Sequence, residues 1–200
     1  MDNFSKDFPY KKSDDVEWKM EQSYTEGNFK TENESAEAFD SIVTETGLFV
    51  IHKEIVGQVI QPRLDTELKG VRVDRILGPK EKLLRAGWKH GFFAVEIKQS
   101  GKKAGPPLSQ IMDYSRNAFY LPPYGCFMPK FVFLWPLGIQ HGIASSIMMQ
   151  NRVGSAWVRE REYGQQLELF CGDGCVLIYG FDRDQIIIGK AAFGKRVGTR

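Results

Sequence analysis

The chain has 200 residues, enough for one domain or one domain with extensions, and its 42% apolar and 12% aromatic content is ordinary for a chain that builds a core. No stretch is long and apolar enough to span a bilayer, and the polar start MDNFSKDFPYKKSDD has no apolar segment of the kind a secretory signal needs. A formal net charge of +2 neither demands nor excludes a nucleic-acid partner, so local clusters must decide.

Residues 1–32 are charged and rich in Ser, Asn and Gly without periodicity. They read as a flexible or partner-ordered arm ahead of a single domain over 33–200. In NESAEAFDSIVTETG (33–47), an Asn cap and acidic residues precede Ala36, Phe39, Ile42 and Val43 at helical spacing, and Gly47 stops the helix. LFVIHKEIVGQVI (48–60) is β-branched and apolar, a strand with a bend at Gly57. After the loop QPRLDTELKG, GVRVDRIL (70–77) gives a second strand, ended by Gly78-Pro79. A basic connection (78–91) leads to the strand GFFAVEIK (91–98), and SGKKAGPP is a turn. LSQIMDYSRNAFY (108–120) has helical spacing, LPPYG breaks it, and KFVFLWP (130–136) is a buried type of strand. Further strands are expected around 154–162, 175–181 and 185–190, with room for a helix between them. The order helix, three strands, helix, strand implies an α/β fold with a central mixed sheet flanked by helices.

Alternation along GFFAVEIK puts Phe93, Val95 and Ile97 on one side and Phe92, Ala94, Glu96 and Lys98 on the other. The second set starts apolar and ends charged, so Glu96 and Lys98 are expected side by side at the rim of a cleft. Burying them unpaired costs several kcal/mol, so each other, another charge, water or a metal must compensate. Glu-x-Lys also occurs at Glu17–Lys19 and Glu67–Lys69, but only Glu96–Lys98 closes an apolar strand. On the preceding strand, Asp74 interrupts an apolar or basic run. Asp74 and Glu96, with the carbonyl of Ile97, would suit Mg²⁺, which takes one or two carboxylates plus water and substrate phosphate. The plainer alternatives are a rim salt bridge for Glu96 and Lys98, and pairing of Asp74 with Arg72 or Arg75.

An Asp on one strand and Glu-x-Lys on the next, after an acidic helix, resembles the PD-(D/E)xK nuclease superfamily over roughly 33–136, in its RecB-like or resolvase-like branch. The resemblance implies a restriction-endonuclease-like αβββαβ core, here with a strand-rich C-terminal elaboration. It implies Mg²⁺ (or Mn²⁺) held by Asp74 and Glu96, with Lys98 assisting the attacking water. Glu37 is the candidate for the family's helix carboxylate, with Glu34 and Glu54 as other choices, although Glu34 and Glu37 also suit a helix's first turn. Gln110 and Tyr114 match a Gln-x-x-x-Tyr element whose Gln supports the site and whose Tyr lies near DNA; they also fit an ordinary helix surface. Val73, not Pro, precedes Asp74, a departure common in the superfamily. Cys126, Cys171 and Cys175 read as reduced thiols, and three cysteines argue against an iron–sulfur cluster. His52, His90 and His141 show no ligand spacing.

Lys80, Lys82, Arg85, Lys89, Lys102, Lys103 and Arg116 are the candidate phosphate contacts, and Trp88, Tyr114 and Tyr120 the candidates for stacking on unpaired bases. The alternative is a solvated basic loop. The expected function is metal-dependent cleavage of DNA in a bacterial or phage-infected cytoplasm. A homodimer would cut both strands, and the N-terminal arm would take a protein partner. The rivals are a nucleic-acid-binding or assembly protein that keeps the fold without turnover, and a structural interaction domain.

Overall fold

The computed structural model describes residues 29–59, 70–100, 105–136, 148–162, 164–172 and 174–189. Of the expected arm, residues 1–28 lie outside this set. Helix α1 (Glu32–Thr46) begins at a capping box: the Glu34 N–H donates to Thr31 Oγ1 at 3.1 Å, and the Thr31 N–H donates to Glu34 Oε2 at 3.3 Å. The cap is therefore Thr31 and not Asn33, because the Thr-x-x-Glu spacing satisfies two main-chain donors at once. Gly47 closes the helix with φ of 65°, as expected.

Strands β1 (Phe49–Val59), β2 (Val71–Pro79) and β3 (Phe93–Ile97) form an antiparallel meander, with the short helix α2 (Glu81–Arg85) between β2 and β3. After α3 (Gly105–Tyr114), strands β4 (Asn117–Leu121) and β5 (Gly125–Phe127) extend the sheet on the β1 side. Strand β6 (Val132–Trp135) then joins β3 in parallel, and β7 (Val153–Arg161) joins β6 in parallel. Strands β8 (Gly164–Cys171), β9 (Gly174–Gly180) and β10 (Gln185–Ile188) follow as antiparallel neighbours. All ten lie in one mixed sheet in the order β10-β9-β8-β7-β6-β3-β2-β1-β4-β5, an α/β architecture with few helices. Among the described residues no helix is long and apolar enough to cross a membrane.

Three expectations change. The helix expected to reach Tyr120 ends at Tyr114. Asn117 turns its amide back to the Asp113 carbonyl at 2.8 Å, and the residues that follow alternate, with Phe119 and Leu121 buried and Tyr120 exposed. The stretch left open for a helix after 162 holds β8, where Leu167 and Leu169 both point into the core. Strand β2 runs through Gly78-Pro79 instead of stopping there, because Gly78 and Pro79 pair with Val50 and Phe49 of β1; the Phe92 ring lies against Gly78, where a Cβ would sit 2.6 Å from its Cε1.

Two cores sandwich the sheet. On one side α1 and α2 bring Phe39, Val43 and Leu83 against Phe93, Val95 and Ile97. On the other, Ile111 and Tyr114 of α3 meet Ile76, Ala94, Val132 and Leu134. Strand β3 alternates between the two as its sequence predicts. Each fully buried side chain such as Phe93 or Leu134 contributes about 1.5–3 kcal/mol, so packing on both faces fixes where Glu96 goes.

Candidate active site

Asp74 sits where the ladder lapses. Strand β1 pairs with β2 at Lys53–Arg75 and again at Ile55–Val73, stepping over Glu54, whose φ is 53°, and Asp74. On its other side β2 pairs with β3 from Leu77–Phe93 to Arg75–Val95. One further step in that register sets Asp74 opposite Glu96. There Asp74 Oδ2 accepts a hydrogen bond from the Ile97 N–H at 2.7 Å.

Glu96 follows Ala94 toward α3 and is only 2% exposed, so it is a buried residue and not a rim residue. Its Oε1 accepts from Lys98 Nζ at 2.5 Å. Its Oε2 is buried with no hydrogen-bond partner among the described residues. Burial, and then the charge of Asp74, push the Glu96 carboxyl up to about 7, against the pull of Lys98. Burial also works against the Lys98 ammonium, but the contacts with Glu96, Glu32 and Asp74 leave its pKa above the ordinary value. Asp74, Glu96 and Lys98 therefore meet at one spot, where burial and the Asp74 charge disfavour the ionised Glu96 carboxyl.

The wall toward α3 is a hydrogen-bonded relay. Gln110 Nε2 donates to Tyr114 Oη at 2.5 Å, and Tyr114 Oη donates to the Arg72 carbonyl at 2.8 Å. Burial and the Glu96 charge raise the Tyr114 pKa, so the phenol stays protonated. Gln110 thus reaches Tyr114, and among the described residues no contact joins it to Asp74, Glu96 or Lys98. Tyr114 does not face a partner: it is 3% exposed, with no open ring face for a base.

The plainer reading of Asp74 as an arginine partner fails on geometry. Arg75 gives its side chain to Asp40, with Nε at 2.7 Å, and reaches Asp74 only through the main-chain carbonyl at 2.8 Å. Arg72 pairs with Glu54 at 3.1 Å. Glu54 is engaged by Arg72 and also lies 3.8 Å from Arg75 Nη1. Glu34 is used in the helix cap, and Glu37 is exposed on α1. The α1 carboxylate that approaches the site is Glu32, whose Oε1 lies 3.8 Å from Lys98 Nζ. Sequence reasoning missed it; the Thr31–Glu34 box was the available signal, since it starts the helix at Glu32.

The expected phosphate contacts do not gather at this spot. Strands β2 and β3 are antiparallel, so the connection between them lies at the end of the sheet away from Glu96. Lys80 follows Asp74 by six residues of extended chain, about 20 Å. Lys82 pairs with Asp184, and Arg85 pairs with Glu81 at 2.9 Å. Lys89 is exposed at that same far end. Arg116 donates to Asn151 at 3.2 Å, and Lys102 and Lys103 lie outside the described residues. Trp88 is buried and donates to the Gly91 carbonyl at 3.0 Å, so it cannot stack on a base; Tyr120 is 61% exposed. His52 and His90 pack against aromatic rings, and His141 lies outside the described residues. The three cysteines are free.

Among the described residues no group of three or more His, Cys, Asp and Glu side chains converges. The Asp74–Glu96 pair is nonetheless a hard-oxygen donor set of the size with which Mg²⁺ is held alongside water and substrate. The buried Glu96 Oε2 accepts no hydrogen bond from a described donor, and Asp74 and the Tyr114 hydroxyl are polar neighbours of the Glu96 carboxyl. Ile97 takes part through its N–H on Asp74. Comparison with protein-family models, curated proteins and solved structures gives no match.

Proposed function

We propose that the chain is a divalent-metal-dependent deoxyribonuclease of the PD-(D/E)xK superfamily, built on a restriction-endonuclease-like αβββαβ core. The fold part is supported by α1, β1, β2, β3, α3 and β6 in that sequence, with α2 inserted after β2 and the β4–β5 pair after α3, by β1 to β3 being antiparallel and by β6 being parallel to β3. The observation that carries the function is the Glu96 carboxylate. It is buried, its Oε1 is held by Lys98, its Oε2 accepts no hydrogen bond from a described donor, and burial, then the charge of Asp74, disfavours its ionised form. A protein gains nothing in stability from such an arrangement, whereas a cation site needs it.

Asp74 and Glu96 would hold Mg²⁺ or Mn²⁺, which would supply charge for the phosphoryl oxygens and lower the pKa of a bound water. The Ile97 N–H keeps Asp74 turned toward Glu96. Lys98, a compact cation on a flexible stem, orients the attacking water and stabilises charge that develops on the phosphate. Glu96 and Glu32 hold it in place before substrate arrives. The Gln110–Tyr114–Arg72 relay closes the α3 side and limits water.

Linear, circular, single-stranded and branched DNA, incubated with and without Mg²⁺ or Mn²⁺, test this reading. Metal-dependent cleavage is expected, with about 10²-fold or greater loss in Glu96→Ala and in Lys98→Ala. Binding without cleavage would instead mark a nucleic-acid-binding protein that keeps the fold.

A further inference from the structure

Strand β7 carries a second set of charges on the face that holds Glu96. Glu96 pairs with Leu134 of β6, and Leu134 pairs with Ser155 of β7, so the three are level across the sheet. Alternation then puts Trp157, Arg159 and Arg161 on the Glu96 face, while Ala156 and Val158 enter the opposite core. Strand β6 stops at Trp135, one step past the Leu134–Ser155 pair, but β7 runs on from 157 to 161. That overshoot is about 17 Å, and it starts two strand spacings, about 10 Å, from Lys98. The hairpin of β7 and β8 therefore projects past the candidate site with its arginines on the site's side.

These arginines are fixed by a buried carboxylate. Glu168 is 0% exposed and lies opposite Trp157 in the β7–β8 register. Its Oε1 accepts from Arg161 Nε at 3.0 Å and Nη2 at 2.7 Å, and its Oε2 accepts from Trp157 Nε1 at 2.8 Å. Arg159 Nε lies 3.8 Å from Oε2, and its guanidinium lies 5.6 Å from the Trp157 ring centre. Phe170 stacks on Trp157 with rings 10° from parallel, so the indole is a fixed base for the arginines and not a platform for a base. Arg161 binds Glu168 through Nε and Nη2, and the side chain is still 42% exposed. Of the two arginines that meet Glu168, Arg161 is the more exposed, at 42% against 24% for Arg159; Glu160, the neighbouring acid, alternates to the other face.

We propose that this hairpin is the arm that seats the phosphate backbone of a nucleic acid leading to the Asp74–Glu96–Lys98 site. The proposal rests on the nuclease reading for the direction of that path, and on charge and geometry for the contact itself. Pre-oriented guanidinium groups suit phosphate oxygens, which they bind through paired N–H donors. The arm takes the role that the sequence gives to the loop of Lys80, Lys82 and Arg85.

The test is the affinity of dye-labelled single-stranded and duplex DNA, followed by anisotropy over a salt series. Arg159→Gln/Arg161→Gln/Glu168→Gln removes the three charges together and leaves no buried ion unpaired. It is expected to weaken binding on every sequence and to lower the slope of log affinity against log salt by about 0.7–0.9, as for the one phosphate contact of Arg161. Arg85→Gln at the far end is expected to leave the slope unchanged. If the triple variant does not fold, Arg161→Gln alone is expected to lower the slope by about 0.7–0.9. A wild-type protein that cleaves with Mg²⁺, beside a triple variant with unchanged slope and KM, overturns the arm and leaves the nuclease reading standing. No cleavage by the wild type, with the slope still lowered in the variant, overturns the nuclease reading and leaves the arm. Equal, salt-sensitive binding of polyglutamate overturns the nucleic-acid assignment in favour of an acidic protein segment.

Discussion

The Ile97 N–H donates to Asp74 Oδ2 at 2.7 Å, so a side chain of β2 takes a main-chain donor of β3 at the point where the ladder between them lapses. The contact fixes Asp74 toward Glu96 and makes the carboxylate structural as well as chemical. Asp74→Asn keeps an acceptor for that N–H and removes one charge. It is expected to fold with near wild-type stability in urea and to lose metal-dependent cleavage. Asp74→Ala leaves the N–H unpaired and is expected to lose a further 1–3 kcal/mol, roughly, in the same unfolding titration.

Glu96 makes the metal-free protein sensitive to pH. Its folded pKa of about 7 lies above the ordinary 4.5, so the folded state holds its proton more tightly than the unfolded chain. The contribution is fully present below pH 4.5 and is lost as pH rises through about 7. The whole difference is about 3 kcal/mol. Asp40, held down against its burial by Arg75 and Lys53, acts at lower pH and with the opposite sign, and His90, held down by burial, also has the opposite sign. The stability of wild type minus that of Glu96→Gln, measured in chelator across this range, removes both. That difference is expected to fall as pH rises; a flat difference would show an unstrained carboxylate.

Tyr114→Phe deletes the hydroxyl that accepts from Gln110 and donates to the Arg72 carbonyl. The expected cost is about 1–2 kcal/mol in thermal or urea unfolding. Because the ring is buried, affinity for single-stranded DNA should not change. A loss of affinity without a loss of stability would return Tyr114 to the role of a stacking residue.

Gly57 lies under the Phe119 ring, and a Cβ there would sit 2.6 Å from two ring carbons and 2.9 Å from the Ala118 carbonyl. Gly57→Ala is expected to loosen β4 from β1 at a cost of about 1–3 kcal/mol, visible as a lower Tm. The Asp74–Glu96 pair lies on the other side of β1 in the sheet order, so metal binding should persist.

Much of β3 was legible because FAVEI alternates, and alternation needs no knowledge of the partner elements. Phe93, Val95 and Ile97 enter one core and Ala94 leads Glu96 toward the other, as the spacing says. The burial of Glu96 was not legible, since α3 and β6 cover it and these lie beyond the local pattern. The basic residues over 80–89 were misplaced for a similar reason: proximity in sequence to Glu96 says nothing about which end of an antiparallel pair a connection occupies. Arg159 and Arg161 read as ordinary strand residues until the parallel registers β3–β6 and β6–β7 set them level with the site. Glu32 escaped because the helix start was taken two residues late, at Asn33 instead of Thr31.

The account stands on Asp74 and Glu96 jointly holding one hard divalent ion. Electron paramagnetic resonance of Mn²⁺ titrated into the protein measures this directly. The predicted result is saturable binding of one Mn²⁺ per chain, competed by Mg²⁺, absent in Glu96→Gln and in Asp74→Asn and retained in Glu37→Gln. Binding that survives both substitutions, or a wild-type protein that leaves the Mn²⁺ signal unchanged, would contradict it.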